Sequence, residues 1–300
     1  MVAMKAVPLT PARVWWSAVR PATLAASVSP VLLGSAIAVH DGGARPGAGL
    51  GALVVAIAIQ LGVNFSNDYS DFRRGADTPV RIGPVRAASS GVVAPEHVKW
   101  AAIASFALAG VVGLAVSAAT DWRLLIAGAA CIAAAWLYTG GPRPYGYLGL
   151  GELFVFVFFG LVATCGTVYV EELRITPLSV LGGCAMGFLA AAILVLNNLR
   201  DIDTDAAVGK RTLATLIGRE RTRRLLLAIT IAAFAMPLAA AITREAFPTV
   251  LLTLLAIPVA VPSLTTAFTS VQGPQLVGAL KRMAATEIVF ALLFAIGVLA

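Results

Sequence analysis

Two short stretches, NFSNDYSD at 64–71 and NNLRDIDTD at 197–205, gather acids in a chain that otherwise has few. On a helix of about 3.6 residues per turn, Gln60, Asn64, Asp68 and Asp71 fall on one narrow face, and Asn197, Asp201 and Asp205 do the same. Asp203 points the other way. Each stretch sets an Asn one turn before an Asp and is followed by bases: Arg73 and Arg74 after the first, Lys210 and Arg211 after the second. Carboxylates held close together repel, and near a membrane their desolvation is costly unless cations neutralise them. Hard oxygen ligands suit Mg²⁺, which binds through one or two carboxylates and completes its shell with water and phosphate oxygens. Lys and Arg beside the acids make little sense for a plain cation site. They suit a diphosphate bridged to the protein by metal and clasped by basic side chains. One such motif alone reads as solvated charge at a helix end; two at matching depth favour chemistry.

The elements that carry these residues follow from composition. Hydrophobic residues make up 59% of the 300-residue chain and charged ones 12%, against about 25% charged in soluble domains. The mean hydropathy is +0.89. The expected fold class is all-α, a polytopic membrane protein. Apolar runs long enough to cross a core of about 30 Å lie near 22–39, 48–66, 98–119, 122–139, 148–170, 176–199, 222–243, 247–270 and 284–300, about nine transmembrane helices in all. A barrel would show alternating segments, and these runs do not alternate. Residues 1–300 read as a single transmembrane domain, with a short interfacial segment over about 1–20 and polar loops over about 67–97 and 200–221. Trp15 and Trp16 are expected at headgroup level.

Basic residues concentrate on one side of this layout. If the N-terminus is cytoplasmic, only Arg45, Arg123, Arg174 and Arg244 fall outside, which places both acidic stretches at the cytoplasmic face and the C-terminus outside. The net charge of +7 then describes one polar face beside an anionic leaflet rather than a nucleic-acid surface. No obligate protein partner is evident. Cys131, Cys165 and Cys184 lie in apolar spans without metal-ligand spacing and read as small buried hydrophobes; His40 and His97 have no partner ligands.

A diphosphate head at the face of a lipid-embedded bundle implies a substrate with a long apolar tail, and polyprenyl diphosphates are such molecules. At this point the chain resembles the UbiA superfamily of intramembrane aromatic prenyltransferases. The resemblance covers nearly the whole length and rests on RPATL near the N-terminus, NFSNDYSDFRRGAD followed by RIGPVRAASSG, YTGGPRPYGYLGLGE at 138–152, and NNLRDIDTDAAVGKRTLATLIG. The RIGPVR and YTGGPRPYGY segments resemble the naphthoate branch of the family. That resemblance implies transfer of a polyprenyl chain from an allylic diphosphate to 1,4-dihydroxy-2-naphthoate, with loss of diphosphate and CO₂, dependence on Mg²⁺ and residence in the inner membrane. Other acceptors, such as 4-hydroxybenzoate, homogentisate or a chlorophyll precursor, are the rivals within the enzyme class. A cation-coupled transporter is the rival outside it, disfavoured because the acids sit at one face rather than at the midplane.

By the same resemblance, Asn64, Asp68, Asp71, Asn197, Asp201 and Asp205 are the metal-site residues, and the four acids with Lys210 are the catalytic set. Arg73, Arg81, Arg86, Arg143, Lys210 and Arg211 are candidates to hold the diphosphate. Asn67 and Tyr138 would face the same chamber. The family's first motif expects a further acid where this chain has Gly75, and the nearest is Asp77, which either reaches the metal from the loop or orders the Arg-rich segment. Glu152 either bonds an acceptor hydroxyl or pairs with a base such as Arg143. Glu287 reads as an interfacial acid beside Lys281 and Arg282.

Overall fold

Proline punctuates the chain: Pro11, Pro21, Pro46, Pro95, Pro177 and Pro248 each sit in the first turn of a helix. There the missing N–H is no loss and the fixed φ is already helical. The computed structural model describes residues 9–75, 83–142, 144–270 and 273–300. It contains α1 (Pro11–Val19), α2 (Pro21–His40), α3 (Pro46–Arg73), α4 (Pro95–Ala119), α5 (Leu124–Leu137) and α6 (Gly151–Glu172). These are followed by α7 (Pro177–Ala207), α8 (Leu213–Ile217), α9 (Arg219–Ile242), α10 (Pro248–Thr269) and α11 (Gly273–Leu299). Among the described residues there is no strand, only an isolated bridge between Leu148 and Arg211.

Among those residues, eight helices are long and apolar enough to cross a bilayer. The run expected at 122–139 holds the shorter apolar helix α5, so a count of nine is not confirmed. The 14 residues of α5 extend about 21 Å, short of a core of about 30 Å. The polar loops are shorter than expected as well. α3 continues through Arg73 and α7 through Ala207, while α4 begins at Pro95 and α8 and α9 occupy much of 213–221. Both acidic stretches thus lie on helix, as their spacing requires.

α7 is the centre of the bundle, with 72% of its most apolar window buried, against 22% for the peripheral α4. Helices in lipid gain little from burying apolar surface on one another, so close backbone approach does the work. Gly183 and Gly187 of α7 form a small-xxx-small pair that receives Gly160 of α6. A Cβ added at Gly160 would lie 2.3 Å from Gly187 Cα and 2.5 Å from Gly183 O. Around that contact α6 is wound as a π-helix over Phe156–Val162, a device that re-aims the side chains on either side of it.

A second, smaller cluster caps the end of the bundle that carries the acids. Val14 and Ala18 of α1 pack with Phe65, Ala87, Ala88, Val93, Val98 and Ala102. The Ser17 hydroxyl donates to the Val85 carbonyl at 2.9 Å. Trp16 is 68% exposed, as an interfacial anchor should be. Trp15 departs from that expectation, turning inward edge-on to Phe65 at 5.6 Å. Residues 1–8 of the expected interfacial segment lie outside the described residues.

Candidate active site

The acidic faces of α3 and α7 meet at one end of the bundle. Asp71, Asn197, Asp201 and Asp205 line a small polar pocket of about 40 Å³ together with Arg86 and Lys210. Every acid in it has a basic partner. Arg86 donates to Asp71 Oδ2 at 2.9 Å, and Lys210 Nζ stands 3.6 Å from Asp205 Oδ1. Arg200 grips both oxygens of Asp201, its Nε at 2.7 Å from Oδ1, and donates through Nη2 to Asn197 Oδ1 at 2.9 Å. Tyr147 donates its hydroxyl to Asp71 Oδ1 at 2.8 Å. Burial, and then the charge of Asp71, push that hydroxyl well above the usual tyrosine range, so it stays a donor at neutral pH. Lys210 and Arg74 both lie over the Tyr147 ring, at 5.1 and 5.4 Å from its centre.

Asp68 takes a different position from its motif partner. It is fully buried, and its Oδ2 accepts the Ala87 N–H at 2.8 Å, which ties the segment bearing Arg86 to α3. Asn64 also departs from the metal-site expectation. Its Nδ2 donates to the Val19 carbonyl at 2.8 Å and its Oδ1 accepts from Gln60 at 3.0 Å. Its amide is taken up by a collar with Thr23 and Gln60, one turn short of the pocket. That collar lines a larger, apolar cavity of about 330 Å³. Asn67 and Tyr138 line its upper part; Phe154, Phe158, Cys131, Gly128 and Val170 continue it between α3, α5 and α6. Asn197 lines both cavities.

The remaining expected residues divide clearly. Thr139 donates to Asn67 Oδ1 at 2.6 Å, and Arg74 donates to the Thr139 and Gly141 carbonyls, so α3 is laced to the segment after α5. Arg73 and Arg211 are exposed and do not line the pocket. Asp77, Arg81 and Arg143 lie outside the described residues. Glu152 is buried between α6 and α7, where Asn198 Nδ2 donates to its Oε1 at 2.9 Å. Burial, then the Glu152 charge, push the Tyr138 hydroxyl upward too. Glu287 is corrected from an interfacial acid to a fully buried one; it packs inside the bundle.

Arg200 and Tyr147, which bond the pocket acids Asp201 and Asp71, are the residues that the sequence did not single out. Arg200 was legible as the base three residues after Asn197 and adjacent to Asp201. Tyr147 was not, since 76 residues separate it from Asp71. The donor set fits a hard divalent cation. Asp205 Oδ2 is buried without a hydrogen-bond partner, an open ligand position. Among the described residues no three acids converge on one point, which suits ions held by one or two carboxylates and completed by phosphate oxygens.

The sequence profile of the UbiA prenyltransferase family matches residues 27–275. The 1,4-dihydroxy-2-naphthoate octaprenyltransferase of Mycobacterium tuberculosis is 47% identical over 211 residues, 70% of this chain and 72% of that one. The protein of the same name from Haemophilus influenzae is 35% identical over 299 residues, 96% of each chain. Among solved structures, a UbiA homolog from Aeropyrum pernix K1 superposes with a TM-score of 0.69 at 16% identity, covering 90% of this chain and 97% of that one. A UbiA homolog from Archaeoglobus fulgidus bound to DMAPP and Mg²⁺ superposes at 0.63 with 14% identity, covering 94% and 99%. At such identities the structural likeness speaks for the fold.

Proposed function

Because this chain belongs to the UbiA prenyltransferase family, we propose that it transfers a polyprenyl chain from an allylic diphosphate to 1,4-dihydroxy-2-naphthoate, releasing diphosphate and CO₂ and forming demethylmenaquinol, the reduced form of demethylmenaquinone. The acceptor is carried over from the names of the relatives. The observation that carries the chemistry is the junction at Asn197, which lines both a charged pocket suited to a headgroup by its chemistry and an apolar cavity suited to a tail. A diphosphate in the pocket with its tail in the cavity puts the allylic C1 at that junction.

Asp71, Asp201 and Asp205 would hold divalent metal, through one or two carboxylates per ion; the metal's contribution when bound is to neutralise charge on the departing diphosphate. Arg86, Arg200 and Lys210 offer the same oxygens charge-assisted donors. The C1–O bond breaks and the electron pair leaves with diphosphate. The collar of Thr23, Gln60 and Asn64 and the apolar wall below it keep water from the resulting allylic cation. The naphthoate ring attacks C1 through its carboxylated carbon, and departure of CO₂ restores the aromatic ring. Tyr138, facing the cavity as a protonated phenol, is placed to orient the acceptor. The bundle is a multi-pass membrane protein; the proposed setting is the inner membrane with the site and N-terminus cytoplasmic and the C-terminus outside.

The test uses purified protein in detergent with farnesyl diphosphate and 1,4-dihydroxy-2-naphthoate, with Mg²⁺ or with EDTA. Prenylated naphthohydroquinone, read as its quinone after oxidation in air, and an equal amount of CO₂, both abolished by EDTA, are the expected result. Conversion of 4-hydroxybenzoate or homogentisate with no naphthoate product would move the enzyme to another branch. Silence with every aromatic acceptor would overturn the reading.

A further inference from the structure

The polar pocket is charge-balanced among the described residues. Its three carboxylates, Asp71, Asp201 and Asp205, each have their own base in Arg86, Arg200 and Lys210, at 2.9, 2.7 and 3.6 Å. Arg200 and Asp201 are both more than nine-tenths buried. We infer that metal and diphosphate enter this pocket as one unit, by exchange of ion-pair partners, and that the metal-free pocket resists either component alone. This rests on the reading of the pocket as a metal–diphosphate site.

A divalent cation arriving alone adds two charges to a neutral, largely buried cluster, and every carboxylate it can take, Asp205 with its open Oδ2 included, already has a base beside it. It meets three cations at close range, and stripping a buried acid from its base leaves the base unpaired. A diphosphate arriving alone draws the bases to itself and strands three carboxylates beside a polyanion. Arriving together, the two nearly cancel. Phosphate oxygens match a guanidinium fork as well as a carboxylate does, so the bases move from acid to phosphate as the acids turn to the metal.

The three bases are unequally placed for this exchange. Lys210 is the loosest, 3.6 Å from its acid and resting on the Tyr147 ring. Arg86 rides on a segment outside the helices. Arg200 is anchored next to Asp201 on the central helix, where its charge opposes any cation that Asp201 binds. Arg200 is therefore a positioning residue that sets the threshold for metal entry. Since linkage is reciprocal, each component raises the affinity for the other by the same factor.

The test is direct binding, separate from turnover. Mn²⁺ is titrated onto the purified full-length protein and followed by its electron paramagnetic resonance, with and without inorganic diphosphate, against protein-free controls. The wild type should bind Mn²⁺ roughly 10- to 100-fold more tightly when diphosphate is present. Arg200→Gln should raise the affinity for Mn²⁺ alone by about tenfold or more, and Arg200→Lys, which keeps the charge, should not. Lys210→Gln repeats the test without disturbing the buried guanidinium and should shift the same way. Equal Mn²⁺ affinity with and without diphosphate in the wild type, or neutral variants that bind metal no better, would overturn the inference alone. Failure of diphosphate to bind even with Mn²⁺ present would overturn the reading of the pocket with it.

Discussion

Asp201→Asn should lower prenyl transfer by at least about 10³-fold, the scale set by losing a metal ligand and the charge stabilisation it organises. Asn is the informative replacement because it keeps an acceptor for Arg200. Asp201→Ala removes that acceptor as well and leaves a buried guanidinium without its counter-ion, at a cost of about 3–5 kcal/mol in stability. Loss of activity in the Ala variant would therefore mix chemistry with folding. Asp203→Asn is the control two residues away. Asp203 shares the same helix, but its side chain is 87% exposed and pairs with Arg219 at 2.9 Å on the surface, an interaction worth at most about 1 kcal/mol. Turnover measured by product mass, on protein shown to be monodisperse, should separate the two. Asp201→Asn activity within tenfold of wild type would remove Asp201 from the metal site.

The second large effect concerns a residue far from any charge. Gly160→Val should remove folded protein, or lower its unfolding midpoint by about 10 °C or more. The atoms that an added Cβ would meet are Gly187 Cα and Gly183 O, backbone of the central helix that cannot step aside as a side chain can. Overpacking of this kind costs about 1–3 kcal/mol where neighbours yield, and more where they do not. α6 would be pushed from α7, carrying Phe154 and Phe158 and the Glu152–Asn198 bond with it. Gly166→Ala is the comparison. Gly166 also lies on α6 and lines the cavity, yet an added Cβ there meets nothing within 4 Å, so its midpoint should stay close to wild type. Size-exclusion of detergent extracts after heating reads both, and a Gly160→Val profile matching Gly166→Ala would sink the argument.

These contrasts show which parts of the molecule were legible in the sequence. The acidic faces were, because a helical stripe is a local pattern and needs no knowledge of packing. Asp71, Asp201 and Asp205 meet as their spacing implied. Asn64 was matched to Asn197 by the repeated pattern, yet it went to the collar, because its fate depends on Val19, Thr23 and Gln60 across a helix junction. Arg200 is visible in the sequence only as a base beside Asp201. Its role emerges only when the depth of α7 in the bundle shows that its guanidinium has no water to face. The fourth span was read from apolarity alone, which marks what lipid tolerates and not where a helix stops. Gly183 and Gly187 advertise a close approach in their spacing, but the partner glycine on α6 cannot be named without the fold.

The brevity of α5 has a consequence for the membrane around it. Trp122 and Trp136, both exposed, bracket a helix whose 14 residues extend only about 21 Å. Indole rings favour the headgroup boundary, so a wall this short requires lipid beside it either to thin from its usual core of about 30 Å or to accommodate the polar ends of the segment. α5 is also the wall that carries Ala127, Gly128 and Cys131 along the tail cavity. The cost of that mismatch falls on a wall of the apolar cavity. A thicker host membrane raises it and a thinner one lowers it, so membrane thickness acts as a mechanical load on the cavity wall.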